Sequence, residues 1–194
     1  MNEMIKSYSD FKAYVAEDSS FYPKRSFINL YILQNAKALI SQYLYYMRCC
    51  EYVNNCKWGG VKKFILIYYH YRMRRLSWKL GFQFVENVLG PGVRIYAYGP
   101  IIINPSAKIG SHCTIYPGVT VGGRAHDGCP TIGDNCFIGL GAKILGKVNI
   151  GNNVIIAPNA VVVKDIPDNA IVAGVPARII KIGNPNHSEK TNGK

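Results

Sequence analysis

Hydrophobic positions in the second half of the chain repeat every six residues. The aliphatic residues that keep this period are Ile103, Ile109, Ile115, Val121, Ile132, Ile138, Ile144, Ile150, Ile156 and Val162. An α-helix repeats every 3.6 residues and a strand every two, so neither element produces this pattern. A fixed period maintained over so many repeats indicates a solenoid. We predict a left-handed parallel β-helix, in which each six-residue segment forms one face of a triangular coil.

Turns and one long loop are predicted at the corners of this β-helix. Gly and Asn tolerate a positive φ and are therefore expected there. The candidates are Gly110, Gly122, Gly133, Gly139, Gly151, Asn135 and Asn153. Val121 and Ile132 are eleven positions apart instead of six. We therefore expect residues 122–131 to form a loop that is pushed out from one corner, a place where function commonly resides.

The first half of the chain has a different character. Its few breaks are Pro23, Gly59, Gly60 and Gly81, and we predict helices over residues 27–56 and 62–79. The fold class is thus mainly β, a left-handed parallel β-helix with an N-terminal α-helical region. The predicted division is a helical region over residues 1–90, a β-helix over 91–182 and a flexible polar tail over 183–194.

The charge and the cysteine content of the chain indicate which class of ligand it binds and in which cellular compartment we expect it. The net charge is +12 and is spread over both halves, which favours an anionic ligand over a separate nucleic-acid-binding arm. Residues 53–85 contain seven basic residues and no acidic one. The basic and aromatic part of this stretch, residues 57–82, fits a membrane surface, but we prefer a helical cap that packs on the β-helix and on neighbouring subunits. Six cysteines without a signal peptide indicate free thiols and a cytoplasmic protein.

Several motifs carry a resemblance to a known family. They are IGLGAKILG (138–146), VVVKDIP (161–167), AGVPARII (173–180) and the corner VTVGG (119–123). With these, the repeat region resembles the hexapeptide-repeat acyltransferases, and within them the serine acetyltransferase group. The stretches 71–81, 90–92 and 98–104 look more like homologues from polysaccharide pathways. The resemblance implies an acetyl-CoA-dependent O-acetyltransferase, and we favour a saccharide hydroxyl of capsule, exopolysaccharide or lipopolysaccharide as its acceptor. Serine O-acetylation for cysteine biosynthesis and an inactive CoA-binding or assembly protein are the alternatives.

The resemblance also exposes a missing catalytic base. Relatives carry the base histidine at the position of Ala97, and the serine enzymes carry a second histidine at the position of Cys129. Acyl transfer to a hydroxyl needs a group that removes its proton, and His126 in the predicted loop is the best-placed histidine. The open explanations are a form inactivated at Ala97, which we favour, a base supplied by His126, or a protein that binds without catalysis. Tyr98, Asn104 and Cys129 are the candidate acceptor-site residues.

The remaining expectations concern the cosubstrate and the assembly. Small corner residues leave room for the pantetheine arm, and by resemblance other residues line the arm or meet the phosphates. The cofactor-site candidates are Gly141, Ala142, Pro158, Val163, Lys164, Arg178 and Lys181. We expect no metal, since paired metal-ligand motifs are lacking in the sequence. By resemblance, the chain forms a homotrimer with sites between subunits.

Overall fold

The computed structural model describes residues 4–123 and 128–183. Its three α-helices are α1 (Tyr8–Ser19), α2 (Ala36–Asn55) and α3 (Lys62–Leu80), and a short π-helical turn spans Ile28–Ile32. In the part of the chain covered by these ranges, no helix is both long and apolar enough to cross a membrane.

The predicted helix over residues 62–79 is confirmed to within one residue, whereas the helix over 27–56 is interrupted. Gln34 adopts a left-handed backbone with φ 46, which ends the π-helical turn. The side chain of Asn35 then accepts a hydrogen bond from the Ala38 N–H at 3.2 Å and caps the start of α2. An N-cap residue lies outside the helix it begins, so α2 starts nine residues later than predicted. Helix α1 was not predicted; its cap is Ser7.

The rest of the chain winds through three parallel sheets as a β-solenoid. Sheet A contains β1 (Phe82–Gln83), β3 (Ile101–Ile103), β6 (Thr120–Gly122), β9 (Lys143–Leu145) and β12 (Val161–Val162). Sheet B contains β4 (Lys108–Ile109), β7 (Thr131–Ile132) and β10 (Asn149–Ile150). Sheet C contains β2 (Arg94–Ile95), β5 (Thr114–Ile115), β8 (Phe137–Ile138), β11 (Ile155–Ile156), β13 (Ala170–Ala173) and β14 (Arg178–Ile182). Only the last pair, β13 and β14, is antiparallel.

The six-residue period is confirmed as the core of this solenoid. All ten aliphatic residues that defined the period are at most 3% exposed. Equivalent residues stack in register between coils, as Ile115, Ile138 and Ile156 do in sheet C. Burying each such side chain contributes roughly 1.5–3 kcal/mol, so the stack supplies much of the driving force for coiling.

The corner glycines are present for a different reason than predicted. Gly110, Gly133, Gly139 and Gly151 do not have a positive φ, although Asn135 and Asn153 do. A methyl group on Gly133 would lie 2.7 Å from the carbonyl carbon of Gly151 in the next coil. These glycines are therefore needed because successive coils approach too closely for a side chain.

The boundary between the helical region and the solenoid lies at Gly81, earlier than the predicted residue 90. Strand β1 begins at Phe82 and pairs with β3, so residues 82–90 already belong to the first coil. Helix α2 covers the open end of that coil. For example, the Tyr43 hydroxyl donates a hydrogen bond to the Phe84 carbonyl oxygen at 2.9 Å.

A buried ionic network fixes the helices to the first coil. The Arg48 guanidinium, which is 0% exposed, binds Asp18 of α1 at 2.7 Å and Glu51 of α2 at 2.9 Å. It also donates to the carbonyl oxygens of Leu89 and Gly90 at 2.8 and 2.6 Å. Burial by itself would lower the pKa of Arg48, but the two carboxylates outweigh burial and raise the pKa. The guanidinium is therefore held in its charged form.

We expect Arg48→Met to lower the free energy of unfolding by about 3–5 kcal/mol, because Asp18 and Glu51 would remain as buried carboxylates without their cation. Urea denaturation followed by circular dichroism measures this loss. Arg74→Met is the matched control, since Arg74 is an exposed residue of α3, and its effect should stay within about 0.5 kcal/mol. Equal losses in the two variants would show that the network does not stabilise the fold.

Candidate active site

The corner between sheets C and A, here called the CA corner, stacks residues 96–100, 116–119, 139–142 and 157–160. Backbone hydrogen bonds tie its successive turns: Gly118 N to Pro100 O at 2.6 Å, Gly141 N to Pro117 O at 2.9 Å, and Asn159 N to Leu140 O at 2.8 Å. Four predicted site residues, Ala97, Tyr98, Gly141 and Pro158, thus lie along one ridge. The sequence had placed them in separate acceptor and cofactor groups.

The first turn at this corner holds Ala97, the position where the resemblance led us to expect a base. Ala97 is half-buried, and the next residue, Tyr98, is 63% exposed. Beside them, the Tyr96 ring stacks on Tyr116 with ring centroids 4.6 Å apart. The methyl group of Ala97 cannot accept a proton, so this position offers a surface for binding but no base.

The other acceptor-site candidates lie at the opposite edge of sheet A, at the corner with sheet B, here called the AB corner. Strand β3 separates Tyr98 from Asn104, so the two mark opposite ends of one sheet. Asn104 uses its side-chain oxygen to accept the Ser106 N–H at 2.9 Å, which shapes the turn. A Cβ on Gly123 would lie 2.8 Å from the Cys129 sulfur. Within one chain, the predicted acceptor residues therefore do not form one pocket.

The cofactor-site candidates also divide. Lys164, Arg178 and Lys181 are exposed and Val163 is half-buried, all in the last coil or on β14. Ala142 is 0% exposed. Its N–H donates to Gly139 O at 3.1 Å, and its carbonyl oxygen accepts from Thr120 N at 3.0 Å. Its predicted ligand contact must be corrected, because Ala142 is an interior residue whose polar groups are already used.

A cleft of about 1130 Å³ between α3 and sheet A contains His70. His70 Nε2 lies 3.3 Å from Glu86 Oε1. Arg74, Trp78, Asn104 and Thr120 also line the cleft, which reaches the AB corner. A carboxylate that holds one imidazole nitrogen orients the ring for proton transfer. No sequence motif marks this pair, because His70 and Glu86 are 16 residues apart and lie on different elements.

The other histidines contribute less to this arrangement. His112 occupies a corner between sheets B and C with φ 55, and its Nε2 lies 3.6 Å from Glu17 Oε2. It takes the position that Asn135 and Asn153 hold in later coils. His126 and His187 lie outside the described residues. Over residues 4–123 and 128–183, there is no group of three or more His, Cys, Asp or Glu residues that could hold a metal ion.

The cysteines divide into buried and accessible thiols, and all six are free. Cys113 and Cys136 are buried and donate to the carbonyl oxygens of Gly133 and Gly151 at 3.2 and 3.1 Å. Their burial and hydrogen bonding indicate a structural role. Cys129 at the AB corner is only half-buried, as is Cys56.

We expect iodoacetamide near pH 8 to label Cys56 and Cys129 before the four buried cysteines. The thiolate is the reactive form, and burial raises the pKa of Cys49 to about 11 and that of Cys50 to about 12. These two thiols should therefore stay protonated and unreactive until the pH approaches those values. Peptide mass spectrometry identifies the labelled sites, and labelling in urea, where all six should react, is the control. Early labelling of Cys49 or Cys50 would contradict this assignment.

Comparison with known proteins identifies the repeat. Residues 129–164 match the family model described as "Bacterial transferase hexapeptide (six repeats)". The solenoid is thus of the hexapeptide-repeat kind, which confirms the resemblance to hexapeptide acyltransferases.

The curated relatives include serine acetyltransferases from Mycobacterium tuberculosis and Synechococcus elongatus. The first is 43% identical over 102 residues, which is 51% of this chain and 44% of the relative. The second is 40% identical over 95 residues, covering 47% of this chain and 39% of the relative. The matches thus span less than half the length of these relatives.

Solved structures give the same similarity over a longer part of the chain. The serine acetyltransferase of Neisseria gonorrhoeae in complex with serine has a TM-score of 0.63 at 28% identity, covering 88% of this chain and 69% of that one. The enzyme from Brucella abortus in complex with coenzyme A has a TM-score of 0.60 at 25% identity, covering 90% and 67%. The similarity therefore includes helical segments as well as the solenoid.

Proposed function

We propose that this chain is an acetyl-CoA-dependent O-acetyltransferase. The observation that carries the proposal is the 43% identity to a serine acetyltransferase over about half of the chain. The comparisons support serine as the acceptor better than the saccharide hydroxyl that the sequence favoured. Both acceptors present a hydroxyl group, so the chemistry required of the site is the same.

The reaction transfers an acetyl group from a thioester to a hydroxyl. The hydroxyl oxygen forms a bond to the acetyl carbon while a base removes its proton, and the carbon–sulfur bond breaks to release the CoA thiol. A positioned base typically contributes about 10²–10⁴-fold to such a step. Because Ala97 cannot serve as a base, either this form is inactivated at Ala97, as we favoured from the sequence, or another residue supplies the base. The candidates are His126 of the predicted loop and His70 beside Glu86.

The exposed residues of the last coils suit the cosubstrate. Gly141 and Pro158 place no bulky side chains at their positions of the CA corner. Leu140, which is 50% exposed, offers an apolar contact beside them. We propose that this corner holds the pantetheine arm. Lys164, Arg178 and Lys181 are exposed cations that would attract the phosphates.

The decisive experiment measures CoA release from acetyl-CoA with serine and, separately, with glycans as acceptor. We expect Ala97→His to raise kcat/KM by about 100-fold or more, because it supplies a base on the ridge. Ala97→Gln is the matched control, since it adds similar bulk and polarity without a basic nitrogen. His126→Asn and His70→Asn test which histidine sustains any activity of the unchanged protein.

Each result has a distinct meaning. Turnover with serine but not with glycans would support serine as the acceptor. Turnover with glycans but not with serine would support the saccharide hydroxyl. If neither the unchanged protein nor Ala97→His turns over while CoA still binds in calorimetry, the chain is a CoA-binding or assembly protein and the proposal fails.

A homotrimer with sites between subunits is a further part of this proposal. In such a trimer, the CA corner of one copy would lie near the AB corner of another. Tyr98 and Asn104, which lie at opposite ends of sheet A within one chain, would then contribute to the same site from different subunits. Sedimentation velocity should then give three times the chain mass of 21.6 kDa, and a monomer at micromolar concentration would overturn it.

A further inference from the structure

Large apolar side chains remain exposed on the helical region. On the π-helical turn these are Phe27, Ile28, Ile32 and Leu33, which are 57–69% exposed. On α3, Phe64 is 74% exposed and Trp78 is 82% exposed. The helical cap that we preferred from the sequence accounts for Tyr43 and Tyr46 of α2, which are buried, but it leaves this second surface uncovered.

The two exposed segments belong to one surface. Arg72 of α3 donates a hydrogen bond to the Tyr31 hydroxyl at 3.3 Å, and Lys79 donates to the Gln34 side chain at 2.6 Å. We call the exposed residues of the π-helical turn and α3 the docking face. It comprises Phe27, Ile28, Ile32, Leu33, Phe64, Ile67, Tyr71, Trp78, Arg72, Arg74, Arg75 and Lys79.

The docking face is strongly and uniformly cationic. Between Asp18 and Glu86 the chain has eleven basic residues and a single acidic one, Glu51. Glu51 is 2% exposed and is bound to Arg48, so it neutralises none of the surface charge. Of the eleven basic residues, only Arg48 is buried. The field over this face therefore attracts anions, although Glu86 borders the face at the cleft that Arg74 and Trp78 also line.

A groove on the docking face combines cations with tyrosines. It has a volume of about 530 Å³ and lies between the π-helical turn and α3. Arg72, Arg75 and Lys79 line it together with Tyr31, Tyr46 and Tyr68. Among the described residues, these three cations form no ion pair with a carboxylate. Guanidinium and hydroxyl donors in an acid-free groove suit a phosphate group.

We propose that the docking face binds the surface of an anionic phospholipid membrane. Lipid phosphates would occupy the groove, while Phe64 and Trp78 enter the boundary between headgroups and acyl chains. Aromatic residues favour that boundary, and the Lys and Arg residues beside them are attracted to anionic headgroups. Apolar insertion or electrostatic attraction alone gives only weak membrane binding, but the two together give stable attachment.

Charge decides between a membrane and a second copy of the chain. Two copies meeting through this face would bring cations against cations, with no carboxylate to separate them. An anionic membrane surface supplies the opposite charge, and each Lys or Arg near it contributes roughly a fivefold gain in affinity. A lipid surface is therefore a better complement to this face than the same face of a second copy.

Vesicle co-sedimentation of the full chain tests the proposal. We expect binding to vesicles of phosphatidylglycerol and phosphatidylcholine in equal parts, and much weaker binding to phosphatidylcholine alone. Raised salt should reduce the binding, because it screens the cationic contribution. In a Trp58→Phe background, Trp78 is the remaining tryptophan, and its fluorescence should shift to shorter wavelength on the anionic vesicles.

Paired variants separate the two contributions. Arg74→Gln with Arg75→Gln should weaken binding roughly 20-fold, from about fivefold per charge. Phe64→Ser with Trp78→Ser should abolish the apolar contribution and make the residual binding more salt-sensitive. The matched controls lie on the solenoid: Lys147→Gln for an exposed cation and Ile180→Ser for a side chain that is 68% exposed. Both controls should bind as the unchanged protein does.

Two outcomes would overturn the proposal. One is equal binding to neutral and anionic vesicles, or no binding to either. The other is unchanged vesicle binding in the docking-face variants together with a lower mass in sedimentation velocity, which would assign this face to contacts between subunits. The test does not depend on acetyl transfer, so its result is separate from that of the proposed function.

Discussion

The buried guanidinium of Arg48 is the constraint on which the arrangement of the two halves depends. It joins α1 through Asp18, α2 through Glu51 and the first coil through Leu89 and Gly90. The carboxylates in turn accept backbone N–H groups of the coil, Gly92 at 2.8 Å and Asn87 at 2.7 Å. A buried ion pair contributes little net stability when compared with well-packed apolar residues. Its value here is geometric, because it specifies a single way for the helices to meet the solenoid.

The solenoid was predictable because its core obeys a period that a sequence displays directly. Every inward position, from Ile103 to Val162, is fixed by one local rule, and the structure buries each of them. The helical region follows no such rule. Its break at Gln34 depends on a single left-handed residue, and Arg48 could not be paired with Asp18 at a separation of 30 residues. Periodicity reveals local geometry, whereas long-range polar pairing requires the fold.

The candidate site shows the same division. Among the residues predicted for the site, Ala97 and Gly141 lie at the CA corner, and Asn104 and Cys129 lie at the AB corner. The sequence did not reveal that β3 separates these corners, nor that Ala142 is enclosed by the coil. Motif matching assigns a residue to a role without stating which way its side chain points. The His70–Glu86 pair was missed for the complementary reason, because it joins a helix to the first coil and matches no motif.

The two halves of the chain differ in what their charge can do. In the last coil of the solenoid, Lys164 is followed by Asp165 and Asp168, so positive and negative charges alternate along this segment. In the helical region the only acidic residue between Asp18 and Glu86 is consumed by Arg48 inside the core. The same ionic network that fixes the helices thus keeps the one carboxylate of α2 and α3 away from their surface. Because the fold needs Glu51 in its interior, its outer helical face is free to attract an anionic surface. The Arg48 network joins the helices to the first coil, so binding through the helical face would also orient the solenoid.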